Sequence, residues 1–148
     1  MSFVVYAKAG IEDICIFITV ANRGPEAAEI HVLPTLWFRN TWSWGKDQIM
    51  PALRLDRESG TIHAHHEQLG TYWLYCEDGG STLFTENETN CQLLFNAPNA
   101  SPYVKDAFHR YLVDGEMDSV NPEMCGTKRP LSTNALFPPA TRLPSSCA

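Results

Sequence analysis

Several things are missing from this sequence, and each absence narrows its function. No Cys-x-x-Cys pair occurs among the five cysteines, Cys15, Cys76, Cys91, Cys125 and Cys147. Their wide spacing and odd number argue against a structural zinc site or a dithiol redox centre. No apolar run approaches the length needed to span a bilayer. The first residues, Met1-Ser2-Phe3-Val4-Val5-Tyr6, carry no basic segment and no small-residue cleavage site, so no signal peptide is read there. Basic residues are too few for a nucleic-acid stripe: 11 Lys and Arg against 17 Asp and Glu give a net charge of -6. A phosphate-cradling glycine loop, a nucleophile elbow, a zinc-protease helix and a dinucleotide fingerprint are all absent.

What remains is a chain of 148 residues, 44% apolar and 19% charged, enough for one independent core. Its hydrophobic period is mostly two. Phe3–Ala9 reads as a strand, Gly10–Asp13 as a turn, and Ile14–Val20 as a continuous β-branched central strand. Asn22-Arg23-Gly24-Pro25 is a strong turn signal. Glu29–Phe38 resumes as a strand, with Pro34 predicting an edge, a bulge or a break. The two strands flanking 21–28 are expected to pair as a hairpin. Ala52–Leu55, Thr61–Glu67, Gly70–Cys76 and Leu83–Thr85 follow as short strands, with turns at Arg57–Gly60 and Glu77–Gly80. Residues 103–112 change period: Val104, Phe108 and Leu112 recur at i, i+4, as do Tyr103, Ala107 and Tyr111, behind Pro102. That predicts one short helix. The expected fold is mainly β, an antiparallel β-sandwich over residues 1–128, with an irregular carboxy-terminal tail over 129–148 that is rich in proline, serine and threonine.

Two groups of side chains invite a metal or a carboxylate reading. His63 and His65 share a strand face, a spacing that can chelate zinc if a third ligand arrives from a neighbouring strand, but no acid of fixed spacing completes the set. Ordinary surface histidines account for the same pattern, and no metal or other cofactor is assigned. Glu86 and Glu88 fall on one face of an extended segment. A carboxylate pair is the minimum for glycosidic chemistry, and a solvated loop anchored by Asn side chains is the simpler account. No catalytic residue is assigned. Asn87-Glu88-Thr89 and Asn99-Ala100-Ser101 match glycosylation sequons, which matter only in a secreted chain. Reduced thiols and a cytoplasmic setting are the default reading.

The densest feature is Leu36–Trp44. Three of the four tryptophans, Trp37, Trp42 and Trp44, lie there beside Arg39, Asn40, Thr41 and Ser43. Indole faces with planar donors and acceptors suit a sugar, so Trp37, Arg39, Asn40, Trp42 and Trp44 are candidate carbohydrate contacts. The same residues on an extended strand could equally pack as core or as an interface, with Trp42 and Trp44 on one face and Arg39 stacked on an indole.

Four segments taken together resemble a known family. They are Leu33-Pro34-Thr35-Leu36-Trp37-Phe38-Arg39-Asn40-Thr41-Trp42-Ser43-Trp44-Gly45, Leu83-Phe84-Thr85-Glu86-Asn87-Glu88-Thr89-Asn90, Pro98-Asn99-Ala100-Ser101-Pro102-Tyr103-Val104-Lys105-Asp106, and Val120-Asn121-Pro122 with Gly126-Thr127-Lys128. They resemble the amino-terminal region of glycoside hydrolase family 63, the mannosyl-oligosaccharide glucosidase group, over about residues 3–128. The resemblance implies a β-sandwich that in full-length members packs on a catalytic (α/α)6 barrel of an inverting α-glucosidase. The family's general acid and base belong to the barrel and match no position here. From Arg129-Pro130-Leu131-Ser132 onward the pattern departs from the family. The expectation is a non-catalytic sandwich module. Its expected partners are an oligosaccharide, a second copy or a catalytic domain, with neither nucleic acid nor membrane among them.

Overall fold

The computed structural model describes the chain except residues 46–48, 78–80, 138–141 and 148; for 134, 135 and 142–147 it describes the backbone alone. The expected loop after Gly45, the turn at Glu77–Gly80 and part of the expected tail fall partly on residues outside that description. The protein is mainly β, built from antiparallel sheets with a few short helices. It divides into two units: Met1–Leu33 with Leu74–Ser81 and Leu131–Ala148, and Pro34–Trp73 with Thr82–Pro130.

The first unit is organised by β2, Ile14–Ala21, whose β-branched run favours a pleated strand. It lies between β1, Ser2–Lys8, and β11, Arg142–Cys147, in the order β1-β2-β11. The β1–β2 pairing runs unbroken from Ser2↔Val20 to Lys8↔Ile14. A second ladder pairs β3, Ala28–Val32, with residues 133–137 of β10, which spans Lys128–Phe137. Alternation sorts the β2 side chains. Ile18 and Val20 are buried against Phe137, with Ile16 and Val32 packed at the margin. The two ladders therefore meet face to face, as a sandwich requires.

Two expectations are corrected in this unit. The strands flanking 21–28 do not form a hairpin: β2 is paired on both sides by β1 and β11, while β3 pairs with β10. With both β2 edges taken, the following strand must join the other sheet. Residues 129–148, expected as an irregular tail, carry most of β10 and all of β11. Pro144 is tolerated because β11 is an edge strand, where a missing N–H breaks no ladder on its outer side.

The second unit begins with β4, Thr35–Trp37, which pairs with Lys128–Pro130 of β10. Pro34 makes the break expected of it between β3 and β4. A four-stranded sheet follows in the order β7-β6-β5-β9, made of β5, Ala52–Leu55, β6, Ile62–His66, β7, Gly70–Leu74, and β9, Cys125–Gly126. The Asp56 carboxylate shapes the β5–β6 turn by accepting from Glu58 N at 3.0 Å and Ser59 Oγ at 2.6 Å. Gly60 closes the turn at φ 70°, in the left-handed region that glycine tolerates. Leu53, Ile62 and Ala64 point into the core with Leu83, Phe84, Val104, Ala107 and Phe108. The predicted helix is present as α2, Ala107–Leu112, and Ala107 and Phe108 supply its buried face. Another short helix, α1, Cys91–Phe95, was not foreseen. The Asn90 side chain caps it by accepting from Leu93 N, and Asn96 ends it at φ 51°. Between β7 and α1, β8, Ser81–Thr82, pairs with β10.

Candidate functional site

The tryptophan segment is not an extended strand beyond Trp37. Trp42–Trp44 forms a single 3₁₀ turn that closes on Gly45 at φ 69°. The turn comes from Asn40, whose Oδ1 accepts from Ser43 N at 3.1 Å and from Ser43 Oγ at 2.7 Å. A side chain that bonds its own backbone three residues on competes with a strand ladder and bends the chain. Trp42 and Trp44 therefore do not alternate as strand neighbours would.

A second segment, Glu86–Asn90, clamps this turn. Asn87 is the hub. Its Nδ2 donates to Phe38 O at 2.8 Å, its carbonyl accepts from Asn40 Nδ2 at 3.0 Å, and its N–H donates to Thr127 Oγ1 at 2.7 Å. The Trp42 indole N–H donates to Glu88 Oε1 at 3.0 Å. Glu86 Oε2 accepts from both Thr127 N at 3.1 Å and Thr127 Oγ1 at 2.7 Å. The segment is itself held by backbone bonds from Glu86 N to Tyr103 O and from Lys105 N to Glu88 O. Both acids of the candidate pair are thus hydrogen-bonded into the scaffold. Beneath them Thr85 and Thr127 are fully buried, and the backbone of Gly126 runs so close to the Thr85 carbonyl that any Cβ there would collide with it.

Of the five predicted contacts, Asn40 and Trp42 belong to this clamp, and both are half-buried. Arg39 lies over the Trp44 ring at 5.6 Å, and Trp44 is 58% exposed. Trp37 is 54% exposed on β4, opposite Lys128. Among the described residues no hydrogen bond or ring contact joins the Trp37 side chain to the other four. Lys128 projects beside them. Its Nζ donates to Lys105 O at 2.9 Å and sits 5.2 Å from the Phe108 ring. Burial pushes its pKa down, the neighbouring Lys105 charge adds to that, and Asp106 opposes it.

The histidine pair does face outward from β6 as expected. His65 Nδ1 is 3.1 Å from Thr71 Oγ1, and His63 meets the edge of Trp73 at 6.1 Å between ring centroids. Among the described residues no cluster of three or more His, Cys, Asp or Glu side chains is placed to hold a metal ion. Both sequons are engaged. Asn87 serves as the hub above, and Asn99 donates to Asn90 Oδ1 at 3.1 Å while its Oδ1 accepts from Gln92 N at 3.0 Å. Sequence reasoning overlooked the fourth tryptophan, Trp73, and Arg54, which flank His63 on either side. Only the strand register reveals them as companions of His63.

Among the described residues no helix is long and apolar enough to cross a membrane. No family model matches the chain, and no solved structure does. It is 35% identical over 137 residues to the uncharacterized protein YMR196W of Saccharomyces cerevisiae. The match takes in 75% of this chain and 13% of that protein, so the chain spans only a small part of the relative's length.

Proposed function

We propose that the chain is a non-catalytic β module related to the amino-terminal domain of an α-glucosidase, and that it braces a larger carbohydrate-active assembly. One observation carries this reading. The candidate carboxylate pair beside the tryptophan segment, Glu86 and Glu88, is engaged by Thr127 and Trp42. Each carboxylate thus has a structural partner that accounts for its place in the clamp, which supports a bracing role over a catalytic one. The glucosidase lineage rests on the four segments named above. A much longer relative is compatible with a module inside a larger enzyme. Cys15, Cys91 and Cys125 are free thiols, and both sequon asparagines serve the fold, which supports a cytoplasmic setting. The test is hydrolysis of α-glucosides by the purified chain. No turnover above background is expected; turnover abolished by one Glu or Asp substitution would overturn the proposal.

A second reading has its own observation. Trp44 presents more than half its surface to solvent under the Arg39 guanidinium, and Trp37 is similarly open. An indole with an adjacent planar donor can hold the apolar face of a sugar. As a carbohydrate-binding module the chain would bind glucose-containing oligosaccharides, with binding lost in Trp44→Ala and retained in Trp42→Phe. Calorimetry showing no heat of binding, or binding indifferent to Trp44, would reject it.

A further inference from the structure

The solvent face of the β7-β6-β5-β9 sheet carries a row of side chains that neither reading above uses. Arg54 on β5 is the register partner of His63 on β6, and both are exposed. On the far side of β6, Trp73 of β7 meets the His63 ring in a T-shaped contact at 6.1 Å and is 54% exposed. The opposite face of β5 and β6 is closed: Leu53 and Ile62 are 0% exposed and Ala64 4%. The core therefore fixes the pleat of these two strands, and with it the direction in which Arg54 and His63 project, and the ring contact with His63 puts Trp73 on the same side. A shift of one residue in either of those strands would turn Arg54 or His63 toward the core.

The chemistry of the row is specific. Adjacent strands lie about 4.8 Å apart, so the Arg54 and Trp73 backbones, two strands apart, are separated by about 10 Å. At one end is an indole, a flat apolar surface. At the other is a guanidinium, whose fork of N–H groups matches a carboxylate or a phosphate. The imidazole of His63 lies between them. Among the described residues Arg54 makes no ion pair. The carboxylate two residues along, Asp56, is taken up by Glu58 N and Ser59 Oγ, although its field reaches His63. An exposed Arg, His and Trp could be unrelated surface residues. Three of them in one cross-strand row, two on strands whose pleat the core dictates and the third in ring contact with its neighbour, form a preset surface instead.

We infer that this row is a binding site for an anionic saccharide, with the sugar ring on Trp73 and its carboxylate or phosphate on Arg54. The site stands on different elements from the tryptophan segment, so it holds or fails independently of the glucosidase reading. The test is titration of the 148-residue chain with glucose 6-phosphate, glucuronic acid, glucose and inorganic phosphate, followed by the indole N–H resonances. Trp73 is assigned by its loss in Trp73→Phe. Glucose 6-phosphate or glucuronic acid is expected to move the Trp73 resonance, the pair telling phosphate from carboxylate. Glucose and inorganic phosphate alone should bind at least about tenfold more weakly, since each fills half of the row. Arg54→Gln should bring the anionic sugar down to the affinity of glucose, and Arg54→Lys should recover part of the difference. Trp44→Ala should change nothing. An unmoved Trp73 resonance with every ligand, equal affinity for glucose and its phosphate, or an effect untouched by Arg54→Gln would each overturn the assignment.

Discussion

Single hydrogen bonds decide the conformation of the tryptophan segment. Trp42 is held by one charge-assisted bond to Glu88, and Asn87 by three bonds, two to the tryptophan segment and one to Thr127. Trp42→Phe keeps the ring and removes the donor, leaving a half-buried carboxylate oxygen unpaired. It should lower stability by about 1–2 kcal/mol. Glu88→Gln keeps an acceptor and should lower it less. Urea unfolding of both single variants and the double variant tests the coupling; strictly additive effects would show that the bond contributes nothing. Asp56 offers a pH-dependent counterpart. Its hydrogen bond from Ser59 and that from Glu58 hold its pKa below the ordinary 3.8. A carboxylate with a lowered folded-state pKa adds stability fully above the unfolded value, and that stability is lost as pH falls through the folded value. The stability gap between the native chain and Asp56→Asn should therefore be constant from neutral pH down to about 5 and shrink in stronger acid. Denaturant midpoints measured across that range would show it, and a gap that widens in acid would be the wrong sign.

At the scale of elements, the strands were more legible than their partners. Ile14–Ala21 declares itself by β-branching, and Ala107–Leu112 by its i, i+4 repeat. Cys91–Phe95 did not. Five residues make barely one turn and leave no period to read, and its caps, Asn90 and Asn96, resemble ordinary loop residues. The short β9 depends on close approach rather than side chains. Gly126 pairs with Leu53 on one side and lies against the Thr85 backbone on the other. Gly126→Ala should force the two backbones apart and cost about 1–3 kcal/mol. Thermal melting is the measurement, and an unchanged midpoint would mean that the segment yields without strain.

Over the molecule, the face of the first unit's β1-β2-β11 sheet that turns away from Ile18 and Val20 is unusual. Register places Phe3, Val5 and Ala7 of β1 with Cys15, Phe17 and Thr19 of β2 on it, none of them charged, while Arg142 of β11 is aligned with Ala21 at its end. Phe3, Val5 and Phe17 are each more than 40% exposed. A face of that kind invites a further protein layer, which agrees with the proposal of a module within a larger assembly. Phe17→Lys should leave the fold intact and reduce self-association of the isolated chain. Sedimentation velocity over a concentration series is the check, and a native chain that is monomeric at every concentration would leave nothing for the substitution to reduce.

By itself the sequence determined the strand-rich class, an irregularity at Pro34, the second helix and the shared face of His63 and His65, because each is written in local propensity or in a period of two or 3.6. It also singled out Trp37, Arg39, Asn40, Trp42 and Trp44 as residues worth watching. Only the tertiary structure decided what they do. Trp42 and Asn40 became parts of a clamp because Glu88 and Asn87, more than forty positions away, reach back to them. Trp44 and Trp37 stayed open, and Trp73 found His63 and Arg54 across three strands. Hydrogen-bond partners and cross-strand neighbours are set by register between distant segments. No local pattern records that register, so the choice between a packed and a presented indole belongs to the fold.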